Sequence, residues 1–305
     1  MSAPESLAAA LAGRVVILDG GLSNQLEAQG CDLSDSLWSA RLLADAPGQI
    51  EAAHAAYARA GAQVLITSSY QATYEGFARA GIGRERAAEL LTLSVALARR
   101  ASSPGGWVAA SAGPYGAMLA DGSEYRGRYG LSVRELERFH RPRLETLAAA
   151  GPDVLALETV PDIDEAEALL RAASGLGVPV WLSYTVAGGR TRAGQPLDEG
   201  FALAAGNDQV LATGVNCCAP GDVPEAVATA VAVTGRPAVA YPNSGEDWDA
   251  TARSWHGSAS HPLTAARAWR AAGARLIGGC CRVGPAEINR LAAALTTQPP
   301  PEVSP

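Results

Sequence analysis

Eight short apolar runs recur along the chain, at 15–19, 64–69, 107–113, 154–158, 180–185, 210–217, 238–243 and 276–280, each followed by a loop and an alanine- and leucine-rich stretch. Runs of β-branched and aliphatic residues that are apolar on both faces suit parallel strands covered on both sides. The helical stretches carry their own punctuation. The stretch 47–60 closes at Gly61, 84–101 precedes Pro104, and 132–150 closes at Gly151, as helix C-termini do. The stretches 162–173, 222–233, 262–272 and 285–295 repeat the pattern, and a shorter helix is expected near 197–205. Eight βα units in one chain predict an α/β fold, a single-domain (β/α)8 TIM barrel over residues 1–297. The proline-rich tail at 298–305 is expected to be poorly ordered. A doubly wound sheet would announce a G-x-G-x-x-G turn after its first strand. Asp19-Gly20-Gly21-Leu22-Ser23 is not one, and Gly81-Ile82-Gly83 follows no strand.

The chain has 305 residues, long enough for one barrel, and its 48% hydrophobic content is ample for a core. With 18% charged residues, a net charge of -7 and no Lys/Arg cluster, it lacks the basic footprint of a nucleic-acid binder. Residues 1–13 hold no positive charge ahead of their Ala/Leu run, unlike a signal peptide, and no apolar stretch is long enough to span a bilayer. These features predict a cytoplasmic protein with small-molecule partners, a monomer or small homo-oligomer.

Four of the five cysteines sit at the ends of two expected strands, in Gly214-Val215-Asn216-Cys217-Cys218 and Gly278-Gly279-Cys280-Cys281. Thiols gathered this way can form a disulfide, a redox pair or a metal site. Neither pair is a CxxC, and adjacent cysteines close a strained disulfide, so a three-thiolate metal site leads. Cys217, Cys280 and Cys281 supply three soft ligands from strands six and eight. Successive side chains on a strand point to opposite faces, which leaves Cys218 out. Cys31 reads as a small apolar residue. Structural zinc sites have four ligands, so an open three-cysteine site favours catalysis, and a thiolate-rich zinc suits capture of a substrate thiol better than production of hydroxide. Polar residues recur at the other strand ends, where a barrel carries its chemistry: Asp19, Thr67 to Tyr70, Gly113 to Gly116, Glu158-Thr159, Ser183 to Thr185, and Tyr241 to Glu246.

These segments, with Leu37-Trp38-Ser39-Ala40, Ile66 to Thr73, Gly113-Pro114-Tyr115-Gly116 and Asp121-Gly122-Ser123-Glu124-Tyr125-Arg126-Gly127, resemble the zinc-dependent homocysteine S-methyltransferases over nearly the whole chain. The branch using S-methylmethionine or S-adenosylmethionine is the nearer one and the betaine-dependent enzymes are more distant. The resemblance implies a (β/α)8 barrel, Zn²⁺ on Cys217, Cys280 and Cys281, and methyl transfer from a sulfonium donor to homocysteine, giving methionine. It also implies homocysteine contacts at Asp19, Gly20, Gly21, Thr67 and Glu158. A carboxylate there can pair with the ammonium, while glycine N–H groups and Thr67 receive the carboxylate. On the donor side, Tyr70, Tyr115, Glu124 and Asn243 are the candidates, with Tyr184, Tyr241 and Asp121 as further possibilities. His54, His140, His256 and His261 lie apart from these motifs and read as surface or structural. A non-catalytic zinc- or thiol-sensing barrel is the alternative. A zinc hydrolase is not, since it calls for a general base beside a metal-bound water and usually histidine ligands.

Overall fold

Side-chain alternation along the strands sorts the apolar residues into two cores, one inside a ring of strands and one between the strands and the surrounding helices. The computed structural model describes residues 5–33, 37, 39–249, 254–257 and 263–296; the expected tail at 298–305 and His261 lie outside them. The barrel strands, numbered in chain order, are β1 (Val16–Ile17), β2 (Val64–Ile66), β3 (Trp107–Ala112), β4 (Val154–Val160), β5 (Val180–Tyr184), β6 (Val210–Asn216), β7 (Ala238–Tyr241) and β8 (Ala274–Ile277). They pair in parallel in the order β1-β8-β7-β6-β5-β4-β3-β2. A parallel bridge between Leu18 and Val64, with the Asp19 N–H donated to the Val64 carbonyl at 3.2 Å, joins the first strand to the second and closes the ring. This is the predicted (β/α)8 barrel.

Inside the ring, Val16, Val64, Ala109, Val154, Ala156, Trp181, Ala212 and Val239 form one buried cluster. Their sequence neighbours Ile17, Leu65, Val108, Leu155, Leu182 and Ala240 face outward and pack under the helices. The period of two therefore separates the cores, as it must in a closed barrel. The helix Leu7–Gly13 plugs the end of the barrel where the strands begin: Leu7, Ala10 and Leu11 belong to the interior cluster, and the Trp107 indole donates to the Glu5 carbonyl at 3.1 Å.

The expected helices appear at Pro47–Arg59, Arg84–Ala101, Val133–Ala149, Ile163–Ala173, Leu197–Ala202, Val223–Thr234, Leu263–Ala271 and Pro285–Thr296. Ser132 opens Val133–Ala149 with a reciprocal capping box to Glu135, which satisfies N–H groups that otherwise lack helical partners. Four further helices, Leu22–Ala28, Ser39–Asp45, Tyr74–Arg79 and Tyr115–Leu119, were not expected; at two turns or less each, they hold too little apolar periodicity to read. Two hairpins, pairing Val186–Ala187 with Arg190–Thr191 and Asp247–Asp249 with Ser254–His256, were also unexpected. Among the described residues, no helix is long and apolar enough to cross a membrane.

One buried polar network fixes the loop after β3. The Arg143 guanidinium donates to the His140 Nδ1 at 2.7 Å and to the Gly113 carbonyl. That makes Nδ1 the acceptor, so Nε2 carries the proton and donates to Glu165 Oε1 at 2.9 Å. The same Glu165 oxygen accepts the Tyr115 N–H at 2.6 Å. Burial pushes the Glu165 carboxyl up to about 8, against the pull of the Tyr115 N–H and Arg143. The folded state then holds this proton more tightly than the unfolded chain does. Its stabilising contribution is full below the ordinary carboxyl pKa and is lost as pH rises toward about 8. Thermal unfolding should thus show stability falling over that window, and Glu165→Gln should flatten the fall by an amount on the order of a few kcal/mol. An unchanged slope in the variant would remove Glu165 as its source.

Candidate active site

At the C-terminal ends of the strands, β6 and β8 bring three thiols together. The ligand-capable sulfurs of Cys217, Cys280 and Cys281 all lie within 4.8 Å of one another, with Cys217 and Cys281 at 3.6 Å. Two sulfurs held at ~2.3 Å by one tetrahedral ion stand roughly 3.8 Å apart, so the spacing and the soft donor set fit a single metal ion. Cys217 is reached through a backbone irregularity. It sits at φ 51, a conformation that β-strand residues do not adopt and that breaks the alternation of β6. Asn216 and Cys217 can then both face the mouth, while Cys218 turns back into the outer core, fully buried. Burial pushes the Cys218 thiol well up. Hydrogen bonds from Cys217 and Cys280 hold the Cys281 thiol well below its ordinary value.

The turn after β1 lies directly against the cysteine loop. A Cβ on Gly20 would stand 2.2 Å from the Val283 carbonyl oxygen, and one on Gly21 would stand 2.6 Å from that of Cys280. Only glycine fits at either place. The Gly21 N–H, expected as a donor to an amino-acid carboxylate, is given to Val283 O at 2.9 Å. The Asn243 side-chain oxygen accepts the Cys281 N–H at 3.2 Å, and Ser244 N–H and Cys281 O meet at 3.0 Å; β7's end thus shapes the loop that carries Cys280 and Cys281.

The topmost inward layer of the barrel is polar. Alternation from Val154 and Ala156 brings Glu158 inside, 5% exposed. Ser111 donates to Glu158 Oε1 and Tyr241 donates to Oε2 at 2.8 Å. Burial nonetheless pushes the Glu158 carboxyl up to about 7. Asp19, 1% exposed, accepts the Ile66 N–H on Oδ2 at 2.8 Å. Its Oδ1 is buried and has no hydrogen-bond partner, and burial raises its pKa well above the ordinary value. Thr67 Oγ1 accepts the Ser111 N–H at 3.0 Å and meets Ser69 Oγ at 2.6 Å; since Ser69 donates to Ser111 O, the Thr67 proton goes to Ser69.

The loop after β3 supplies a cover. The Tyr125 hydroxyl lies 3.0 Å from Cys217 Sγ, and the Arg192 guanidinium stands 5.7 Å from the Tyr125 ring centre. Glu124 beside it is 7% exposed, with Oε2 buried and unpartnered. Burial pushes its carboxyl up to about 7, and Cys217 adds to the rise. The Tyr70 ring packs where a Cβ on Gly113 would fall, 2.5 Å away, and Glu124 and Cys217 are among the groups that raise its pKa after burial. Tyr115 packs on Tyr129 and Phe139, and Tyr184 turns outward to Phe201 and the Gly200 carbonyl. His54 and His140 are fully buried. Reading the sequence alone missed Ser111, Tyr125 and Asn216 as parts of the site, and named Ser183 only as a polar strand end. A polar residue at an inward position of an apolar run needs a buried partner, and that signal marks Ser111, Ser183 and Asn216.

The homocysteine S-methyltransferase family model matches residues 16–295. A homocysteine S-methyltransferase of Escherichia coli strain K12 is 46% identical, covering 92% of this chain and 94% of its own length. YbgG of Bacillus subtilis strain 168, a homocysteine S-methyltransferase, is 41% identical over 92% of this chain and 94% of its own. The solved metallated form of the E. coli homocysteine methyltransferase MmuM superposes with a TM-score of 0.83 at 44% identity, over 92% of this chain and 96% of that one.

Proposed function

The chain belongs to the homocysteine S-methyltransferase family, and on that premise we propose that it moves a methyl group from a sulfonium donor, S-methylmethionine or S-adenosylmethionine, to the thiol of L-homocysteine, using Zn²⁺ held by Cys217, Cys280 and Cys281. The observation that carries this reading is the convergence of those three sulfurs, all within 4.8 Å of one another at the barrel mouth. Bound there, a three-thiolate zinc would supply an open position that favours the deprotonated form of a substrate thiol.

The chain's own residues account for recognition. Asp19 Oδ1 and the Glu158 carboxylate are buried acceptors, and an arriving ammonium offers them a charged partner in a dry setting, where such hydrogen bonds are strongest. Gly20, Gly21 and Thr67 border the same acceptor site and shape the space for its carboxylate end. Glu124 and the ring of Tyr70 face the donor: a buried, unpartnered carboxylate oxygen and an aromatic face both favour a cation. Tyr115 and Asn243 support this side at one remove, through the loop after β3 and the cysteine loop. Tyr125 closes over Cys217 and excludes water. Homocysteine reacts as its thiolate, its thiol proton released to solvent on binding, and the thiolate sulfur forms a bond to the methyl carbon as the donor's S–CH3 bond breaks. The electron pair of the broken bond returns to the donor sulfur, which leaves as a neutral thioether.

Methionine formation from homocysteine should be measured side by side with S-methylmethionine, S-adenosylmethionine and betaine. One or both sulfonium donors should support turnover at rates well above betaine. Betaine outperforming both would overturn the donor assignment.

A further inference from the structure

Asn216 occupies the inward position of β6 next to Cys217, and its side-chain hydrogen bonds to Thr159 lead toward Glu158. Its Oδ1 accepts the Thr159 N–H at 2.7 Å and the Ser183 hydroxyl at 2.8 Å. Its Nδ2 donates to Thr159 Oγ1 at 2.7 Å. Thr159 follows Glu158 directly and sits at φ 58, a region that β-branched residues avoid and that persists only where the surroundings over-determine it. The two bonds from one carboxamide supply that determination. Ser183 gives its one proton to Asn216 and Tyr241 gives its own to Glu158 Oε2 at 2.8 Å, so the 2.8 Å approach of Ser183 Oγ to the Tyr241 hydroxyl is a packing contact beside the clamp, and the hydrogen-bonded tie to Glu158 runs through Thr159.

Cys217 is held from the same side. It is itself at φ 51, its N–H is donated to the Tyr241 carbonyl at 3.2 Å, and its carbonyl accepts the Thr185 hydroxyl at 3.1 Å. Two strand ends in strained conformations, one carrying the carboxylate and one carrying a thiol, are therefore tied through a single buried side chain that touches neither reacting group. Asn216, Thr159 and Ser183 are all buried, at 0%, 2% and 0% exposure, so water does not compete for these bonds.

We propose that Asn216 is a positioning residue that sets the distance between the Glu158 carboxylate and the thiol cluster, and so selects acceptors by the length of chain between thiol and ammonium. It favours a γ-thiol amino acid over one a methylene shorter. The inference rests on the reading of Glu158 as the ammonium anchor. Loosening the tie lets the carboxylate and the thiols adjust to a shorter acceptor, and discrimination falls while the metal stays.

The test compares kcat/KM for L-homocysteine, L-cysteine and a plain alkyl thiol, on proteins of equal measured zinc content. Asn216→Ala should raise the KM for homocysteine and narrow its advantage over cysteine by about tenfold, the loss expected for buried hydrogen bonds, with little change for the alkyl thiol. Thr159→Val, which removes one bond of the clamp at constant shape, should narrow it by a smaller factor; Thr159→Ser, which keeps the hydroxyl, should restore it. This pair decides the matter if Asn216→Ala does not fold. Equal losses with all three acceptors, or an unchanged ratio in Asn216→Ala and Thr159→Val, would overturn the proposal. Glu158→Gln is measured alongside: if it leaves homocysteine kinetics unchanged, the anchor reading fails, and if it alone shifts the ratio, only the role of Asn216 fails.

Discussion

Alanine in place of Cys217, Cys280 or Cys281 removes zinc retention and methyl transfer together, while Cys218→Ala keeps both. A site with three protein ligands has no spare, and each loss leaves two thiols and a gap. Cys218 is adjacent in sequence but lies in the outer core, buried under the helices, because the left-handed turn at Cys217 reverses the expected direction of both side chains. Removing its sulfur costs packing on the order of 1 kcal/mol, a stability effect and not a chemical one. Elemental analysis of the four purified variants, paired with turnover, checks this. Zinc lost from Cys218→Ala and kept by Cys217→Ala would reverse the ligand assignment.

Glu158→Gln weakens homocysteine use by about ten- to a hundredfold, the equivalent of a charged hydrogen bond worth roughly 1.5 to 3 kcal/mol, and leaves the zinc in place. The amide keeps the shape, and its oxygen can still accept from one of Ser111 and Tyr241, the two donors to the carboxylate, while its NH2 donates to the other hydroxyl. What it lacks is charge for an ammonium. The ligand-free carboxyl has a pKa of about 7, raised by burial, and an ammonium partner lowers it by favouring the ionised form. Homocysteine binding to the native enzyme should therefore strengthen as pH rises through about 7, and the variant should lose that dependence. Plain alkyl thiols, with no ammonium to place, should respond little to the substitution. Equal kinetics for homocysteine and an alkyl thiol on the native enzyme would take Glu158 and Asp19 out of the acceptor site.

The barrel was legible because its strands are apolar on both faces and its longer helices end at glycine or proline. The plug Leu7–Gly13 and the short helices were not, since a run of seven residues cannot distinguish a helical period from chance. The thiol site was legible from two adjacent pairs at strand ends. Alternation separated Cys217 from Cys218, although the physical reason differs: it is the positive φ at Cys217 that turns one sulfur to the mouth and the other to the core. Asp19 and Glu158 were legible as polar strand ends, their amino-acid-binding role came from a family pattern, and burial adds what a pattern lacks, namely that Asp19 Oδ1 has no partner. The layer of Ser111, Ser183 and Asn216 was readable in principle from period two. Tyr125 was not, because the loop that brings its hydroxyl to 3.0 Å from Cys217 Sγ has neither period nor strand neighbours to fix its path.

The most direct measurement is methionine formation from homocysteine and S-methylmethionine by protein of known zinc content, before chelation, after chelation and after zinc is returned. Turnover proportional to bound zinc, lost on chelation and restored with the metal, is the predicted result, with thiols at Cys217, Cys280 and Cys281 becoming reactive in the stripped protein. Full methyl transfer by the stripped protein, with its thiol reactivity unchanged, would contradict it.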